Sequence, residues 1–181
     1  MIWTFDVEAD NFLNEAKSIW VVCVRSLETG EEIAFRDPLV FSRWVTDVPR
    51  ILIGHNVIDY DVPVLEKLWY INFDCIILDT MVLSYLHNPD RRGGHSLKSW
   101  GLRTKDDDFK IEFNDFSHYS QEMEDYCVQD VRLTERVYKF LAQHMGIRTP
   151  NTESDLQAEE AWSSLQYTTS REEVEVLRRT A

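Results

Sequence analysis

The sequence has little of several features that would each indicate a particular class of protein. Its three cysteines are far apart in the chain, so neither a disulfide framework nor a paired zinc motif is indicated. With 6 glycines and 5 prolines in 181 residues, it does not have a low-complexity composition. No apolar run approaches the ~20 residues that span a bilayer, and the N-terminus lacks signal-peptide features. We therefore expect a folded cytoplasmic protein with buried thiols and no membrane partner.

Basic residues are also scarce. The chain has 19 lysines and arginines against 32 aspartates and glutamates, and its formal net charge is −13. This balance argues against a broad basic surface for nucleic acid. It is compatible with a protein that grips only a chain end in an acidic pocket, because bound cations would neutralise much of the local field.

Hydrophobic residues make up 44% of the chain, which is enough for one core of ordinary size. Short apolar runs alternate with amphipathic segments, and after the third strand this alternation favours parallel pairing. The fold class we expect is therefore α/β, with a mixed sheet flanked by helices. The pattern predicts strands at 2–5, 19–24, 33–36, 51–53 and 75–78, and helices at 41–48, 61–70, about 80–86, a short turn at 96–100, and a long helix from Ser120 to Gly146.

Two acidic residues follow the first apolar run, in the order Phe5-Asp6-Val7-Glu8. On a strand, residues i and i+2 point the same way, so Asp6 and Glu8 would share one face. Such a pair is costly unless a positive group compensates it. The spacing alone decides little, because it recurs at Asp59 and Asp61 and at two other places.

The carboxyl ends of parallel strands meet at one edge of an open α/β sheet, where ligands bind. Asp6 and Glu8 end the first strand, and Asp61 lies just after the fourth. On the long closing helix, Tyr126 and Asp130 are four residues apart and hence on one face. The pattern predicts that these five side chains converge.

These residues carry a specific resemblance. Asp6-x-Glu8, then 56–61 ending in Asp61, then Tyr126-x-x-x-Asp130 resemble the three ordered motifs of the DEDD exonuclease superfamily, in its tyrosine branch. The flanking sequence is similar to the proofreading domain of family-A DNA polymerases from short-tailed phages, as far as about Leu141. The resemblance implies an RNase H-like fold with a five-stranded sheet. We expect an exonuclease domain at 1–147 and a charged helical extension or linker at 148–181.

The resemblance also implies two Mg²⁺ or Mn²⁺ ions, which would activate a water molecule and stabilise the leaving 3′ oxygen. Asp6 would bridge both ions, Glu8 and Asp130 would complete the one that holds the attacking water, and Asp61 would serve the other. Tyr126 would orient the water. A phenol with an ordinary pKa of about 10 is a poor base at neutral pH, so we favour a hydrogen-bonding role for Tyr126.

Four further residues are candidates for substrate binding. Asn56 would contact substrate or cap the following helix, and Lys98 would hold a phosphate. Phe12 and Leu13, on the loop after the first strand, would wedge between the last bases, although core packing is an alternative for at least one of them. Beside these, we expect structural roles for His55 and His95, a helix cap at Asp79, and solvated positions for Asp59, Arg91 and Arg92.

The leading functional hypothesis is a 3′-5′ exonuclease acting on single-stranded or mismatched DNA, which proofreads for a polymerase in cis or in trans. If the chain is phage-encoded, it would work in the host cytoplasm. The alternatives are a 3′-5′ exoribonuclease and, from another class, a non-catalytic polymerase-associated module. Retention of the four carboxylates argues against the last of these, because a dead site has no reason to keep repelling charges together.

Overall fold

The computed structural model describes residues 1–104 and 113–147. Five strands form one sheet in the order β3-β2-β1-β4-β5. The long strand β1 lies at the centre, antiparallel to β2 and parallel to β4. β3 is antiparallel to β2, and β5 is parallel to β4. The strands are β1 Ile2–Ala9, β2 Ile19–Ser26, β3 Glu32–Phe35, β4 Ile51–Gly54 and β5 Ile76–Asp79. The expected mixed sheet is confirmed.

Five helices are present in the described part of the chain. The last of them crosses the sheet and contacts β1, β2 and β4. The helices are α1 Pro38–Asp47, α2 Asp61–Trp69, α3 Thr80–His87, α4 Leu97–Thr104 and α5 Gln121–Met145.

The two faces of β1 bury different partners because its side chains alternate. Trp3, Phe5 and Val7 pack in a cluster with residues of α1 and α2, such as Phe41. Ile2, on the opposite face, packs in a cluster with residues of α5. Asp6 and Glu8 have the same parity as Ile2, so they point toward α5. The strand extends to Ala9, and both acids therefore lie within it rather than beyond its end.

Local capping chemistry explains the helix boundaries. Helix α1 begins at Pro38, three residues before the predicted start, because Asp37 caps the amides of Leu39 and Val40 and proline suits a first turn. Helix α5 begins as predicted, with the Ser120 hydroxyl accepting from the amide of Met123 at 3.1 Å.

Ion pairs on the β2–β3 side tie α5 to the sheet. The Arg25 guanidinium, on β2, bridges Glu32 and Glu135, and Arg132 of α5 also binds Glu32. The favourable Arg132 and Arg25 charges keep the pKa of Glu32 below its usual range. This network sets the position of α5, and hence of Tyr126, which the same helix carries.

Two other expectations have outcomes here. Cys23 and Cys127 are buried as expected, whereas Cys75 is only partly buried because it precedes β5 at the sheet edge. Within the described ranges, no helix has the length and apolar character needed to cross a membrane. The extension predicted for 148–181 lies outside the described residues.

Candidate active site

Four carboxylates approach one another where the parallel strands end. Asp6 and Glu8 come from β1, Asp61 from the first turn of α2, and Asp130 from α5. Glu8, Asp61 and Asp130 are buried, with relative exposures of 6%, 4% and 7%, and Asp6 is half-buried. The residues predicted from the three motifs are therefore brought together.

Burial is the largest influence on these acids in the absence of metal. It raises the pKa of Asp6 to about 6 and that of Asp130 to about 8, the latter with a further contribution from the charge of Asp6. Burial, then Asp6 and Asp130, raise the pKa of Glu8 to about 10. Burial and the Asp6 charge also raise the pKa of Asp61. The cluster is thus poised to gain stability from a bound cation.

Asp61 is fixed by the backbone of the central strand. β4 ends at Gly54, so the amide of Val7 lies beyond the last residue of the parallel ladder. The Asp61 carboxylate accepts a hydrogen bond from this amide at 2.9 Å, in a fully buried contact. Asp61 therefore reaches back from α2 to the strand that carries Asp6 and Glu8.

Tyr126 and Asp130 interact along α5. The Tyr126 phenol donates a hydrogen bond to the Asp130 carboxylate. Burial and then the negative charge of Asp130 raise the pKa of Tyr126 above its usual value. The phenol consequently keeps its proton at neutral pH, as its proposed role as a hydrogen-bond donor requires.

The donor set fits a hard divalent cation. The Asp130 Oδ1 atom is buried and has no hydrogen-bond partner among the described residues, which is costly unless another ligand occupies it. Ligand atoms of Asp6, Glu8 and Cys127 lie within 4.8 Å of one another. However, the Cys127 thiol contacts the Asp6 carbonyl at 3.5 Å, and burial raises its pKa, so it stays protonated. The available ligands are oxygen atoms, which suit Mg²⁺ or Mn²⁺.

The loop between β4 and α2 is held by Asp79. The Asp79 carboxylate accepts from the amides of Asn56 at 2.9 Å, Ile58 at 3.2 Å and Met81 at 2.8 Å. It therefore caps α3, as predicted, and also secures the loop that leads to Asp61.

The two readings of Asn56 are now separated. It has a positive φ of 65°, and α2 has Tyr60 at its N-cap position with no side-chain capping bond. Asn56 is therefore not the cap of α2, because the helix starts five residues later, beyond its reach. Its backbone lies at a cleft instead.

This cleft of about 400 Å³ opens beside Glu8. Phe12 lines it and is 83% exposed, whereas Leu13 is partly buried and packs against the core. Of the two candidate wedge residues, only Phe12 faces the cleft. The cleft is lined by residues 7–12, Asn56, Tyr60 and Phe116.

The sequence analysis did not identify Tyr60 and Phe116 as part of the cleft. Tyr60 precedes a motif residue directly, and this position was a signal that we did not use. Phe116 reaches the cleft through a contact distant in sequence, since its carbonyl accepts from the Trp20 indole at 2.9 Å. No local pattern indicates that pairing.

The remaining candidates lie elsewhere in the fold. Lys98 is exposed on the first turn of α4 and is not among the cleft-lining residues of the described chain. His55 bonds Thr80 and His95 bonds Ser84, each at 2.8 Å, which are structural contacts. Arg91 lies over the Trp100 ring at 4.3 Å and is not a solvated loop residue.

Solved structures with the same fold include two nucleic-acid enzymes. NrnC of Brucella melitensis, solved bound to pGG, superposes with a TM-score of 0.63 at 20% identity, covering 97% of this chain and 85% of that one. Phi29 DNA polymerase in complex with single-stranded DNA gives a TM-score of 0.56 at 14% identity, covering 94% of this chain and 35% of that one. The fold is RNase H-like, and the fold and carboxylate arrangement are those of DEDD-type 3′-5′ exonucleases.

Sequence comparison points to particular relatives. The chain is 26% identical to the DNA-directed DNA polymerase of Enterobacteria phage T3 and 25% identical to that of Escherichia phage T7. Each alignment covers 75% of this chain and 26% of the polymerase, so the chain spans about a quarter of the length of these relatives. It is a distant homologue of their exonuclease region. No protein-family model matches the chain.

Proposed function

We propose that this protein is a metal-dependent 3′-5′ exonuclease that removes nucleotides from the 3′ end of single-stranded or mismatched DNA. The observation that carries the proposal is the buried convergence of Asp6, Glu8, Asp61 and Asp130, in which Asp130 leaves a buried oxygen without a partner among the described residues. Four carboxylates in one place are unfavourable alone and favourable around divalent cations. The DNA substrate is supported by the homology to the phage polymerases.

The carboxylates would hold two Mg²⁺ or Mn²⁺ ions, and a Mg²⁺-bound structure of NrnC supports the choice of metal. Bound ions of this kind activate water and stabilise a leaving oxygen. Asp61 is held in place by the Val7 amide, so its oxygen is preorganised. Tyr126 keeps the proton on its phenol oxygen, and it would orient the attacking water as a hydrogen-bond donor.

The cleft beside Glu8 would receive the terminal nucleotide. Phe12 and Tyr60 present aromatic surface to a base, and stacking of this kind contributes about 1–3 kcal/mol per base. Asn56 would contact the sugar or phosphate. Leu13 would support Phe12 from the core, and Lys98 would bind phosphate farther along the strand.

A degradation assay tests this proposal. A 5′-labelled single-stranded DNA should shorten to a ladder in Mg²⁺ and remain intact in chelator. Asp6→Asn and Asp61→Asn should each abolish shortening, whereas Asp59→Asn, a change in the turn before α2, should retain it. If the labelled strand stays intact with Mg²⁺ and with Mn²⁺, the chain is not an exonuclease, and a non-catalytic binding module becomes the better explanation.

An exoribonuclease is the second candidate. It is favoured by the match to NrnC, which extends over 97% of this chain and 85% of that one, while the polymerases are matched over only 26% of their length. Faster loss of an RNA of the same sequence, measured as kcat/KM under the same conditions, would select this alternative.

Proofreading requires more than cleavage. We infer that the chain serves a DNA polymerase, in cis or in trans, because its relatives are polymerases. A proofreading enzyme should remove a mismatched 3′ nucleotide from a primer faster than a matched one, since a frayed end reaches the cleft more readily. Equal rates on both primers would contradict this role.

A further inference from the structure

The loop that joins β1 to β2 presents an exposed aromatic residue on an ordered backbone. Phe12 is 83% exposed, although the backbone around it is well bonded. Its carbonyl accepts from the amides of Glu15 at 2.9 Å and Ala16 at 2.8 Å, which closes a tight turn. A large apolar side chain held in water by an ordered turn indicates a contact surface for a ligand.

Lys67 of α2 holds this turn from outside. Its ammonium donates to three carbonyl oxygens of the loop, those of Leu13 at 2.7 Å, Asn14 at 3.3 Å and Ala16 at 3.2 Å. An ammonium has three N–H donors, so its whole bonding capacity is directed at one loop. Lys67 is therefore committed to the protein backbone and not to a phosphate.

Two further contacts hold the loop on either side of Phe12. The Tyr60 hydroxyl, which directly precedes α2, donates to the Asn11 carbonyl at 2.8 Å. The Leu13 side chain packs into the core. Both neighbours of Phe12 are thus anchored, and its own side chain is left free at the cleft beside Glu8.

We propose that Lys67 is a positioning residue, which holds the 10–18 loop so that Phe12 is presented to the base at the 3′ end of the substrate. This inference rests on the proposed function and deepens it. A loop ordered before binding does not have to lose its conformational entropy when substrate arrives, so affinity is retained. The role is in substrate binding, and the chemical step at the carboxylates does not depend on it.

The test compares Lys67→Met, Phe12→Ala and the double variant. Methionine keeps most of the aliphatic stem and removes the three donors. We expect faster hydrogen exchange at the amides of Glu15 and Ala16 in Lys67→Met, by about tenfold. On 5′-labelled oligothymidylate, KM should rise about 3- to 10-fold with kcat nearly unchanged, against about 5- to 150-fold for Phe12→Ala.

The double variant decides whether Lys67 acts through Phe12. If it does, the KM of the double variant should equal that of Phe12→Ala alone, because the presented side chain is already missing. Lys67→Arg should restore part of the loss, since arginine also donates to carbonyls. Lys139→Met removes the same charge from α5, away from the loop, and should match the parent.

Three results would overturn the inference. Unchanged exchange in Lys67→Met would show that the lysine does not order the loop, whatever the activity. Additive effects on KM, or a fall in kcat, would indicate a general structural role. A parent protein that degrades neither DNA nor RNA would remove the proposed function and the role of Phe12 in it, while the exchange measurement would still report on the loop.

Discussion

Replacing Asp130 by asparagine should stabilise the protein when metal is removed. The carboxylate is buried, and its pKa is raised from 3.8 to about 8, first by burial and then by the charge of Asp6. A shift of this size corresponds to at most about 4 kcal/mol of destabilisation at pH 7. Since protonation of neighbouring acids already relieves part of the repulsion, we expect a gain of about 1–2 kcal/mol, or roughly 3–8 °C in Tm.

The pH dependence has a defined sign. Because the pKa of Asp130 is higher in the folded than in the unfolded state, its contribution to stability is fully present below the unfolded value of 3.8 and is lost as pH rises toward about 8. The Tm of Asp130→Asn should therefore match that of the parent near pH 4 and exceed it increasingly up to pH 8. Thermal unfolding in chelator across this range measures the difference.

Two comparisons make the result decisive. Asp125→Asn removes an exposed charge from the same helix and should shift Tm by no more than about 1 °C. Mg²⁺ should raise the Tm of the parent more than that of Asp130→Asn, because the variant lacks a ligand. An Asp130→Asn protein that is less stable than the parent at pH 8 in chelator would refute the idea that these acids are held together against their repulsion.

Three other substitutions probe the surroundings of the site. Gly54→Ala would place a Cβ 1.9 Å from Val57 Cγ1, so we expect a loss of about 1–3 kcal/mol in urea unfolding and lower activity, because the loop leading to the second motif must shift. Asp79→Asn would turn an N–H group toward backbone amides such as that of Asn56, and the same measurement should show a loss of about 1–3 kcal/mol. Tyr126→Phe should lower kcat about 10- to 100-fold, by a factor that stays constant from pH 7 to 9, since the phenol remains protonated. A factor that grows with pH would show instead that the phenol takes a proton.

Much of the fold could be read from the sequence, because its elements follow local rules. Alternating apolar residues predicted all five strands within a few residues, and Ser120 and Gly146 marked the ends of α5. The start of α1 was missed because the apolar pattern begins at Phe41, while the helix itself begins at the Asp37 cap. Periodicity reports which face is buried, whereas capping bonds decide where a helix starts.

The substrate side of the site was harder to predict. Phe12 and Leu13 are adjacent and chemically alike, yet one is exposed at the cleft and the other packs in the core. Phe116 reaches the same cleft through a bond to Trp20, which is 96 residues away in the chain. Contacts of this kind depend on how the loops pack, and no short pattern encodes them.

The residue types and their order were sufficient to indicate a carboxylate site. Asp6-x-Glu8 alone remained ambiguous, and Asp61, Tyr126 and Asp130 gave it meaning through order and spacing. Only the tertiary structure showed that Asp61 is bonded to the Val7 amide and that Asp130 has a buried oxygen without a partner among the described residues. The reason is physical: strand and helix periods set which side a residue faces, but burial and hydrogen bonding depend on what the rest of the chain packs against it.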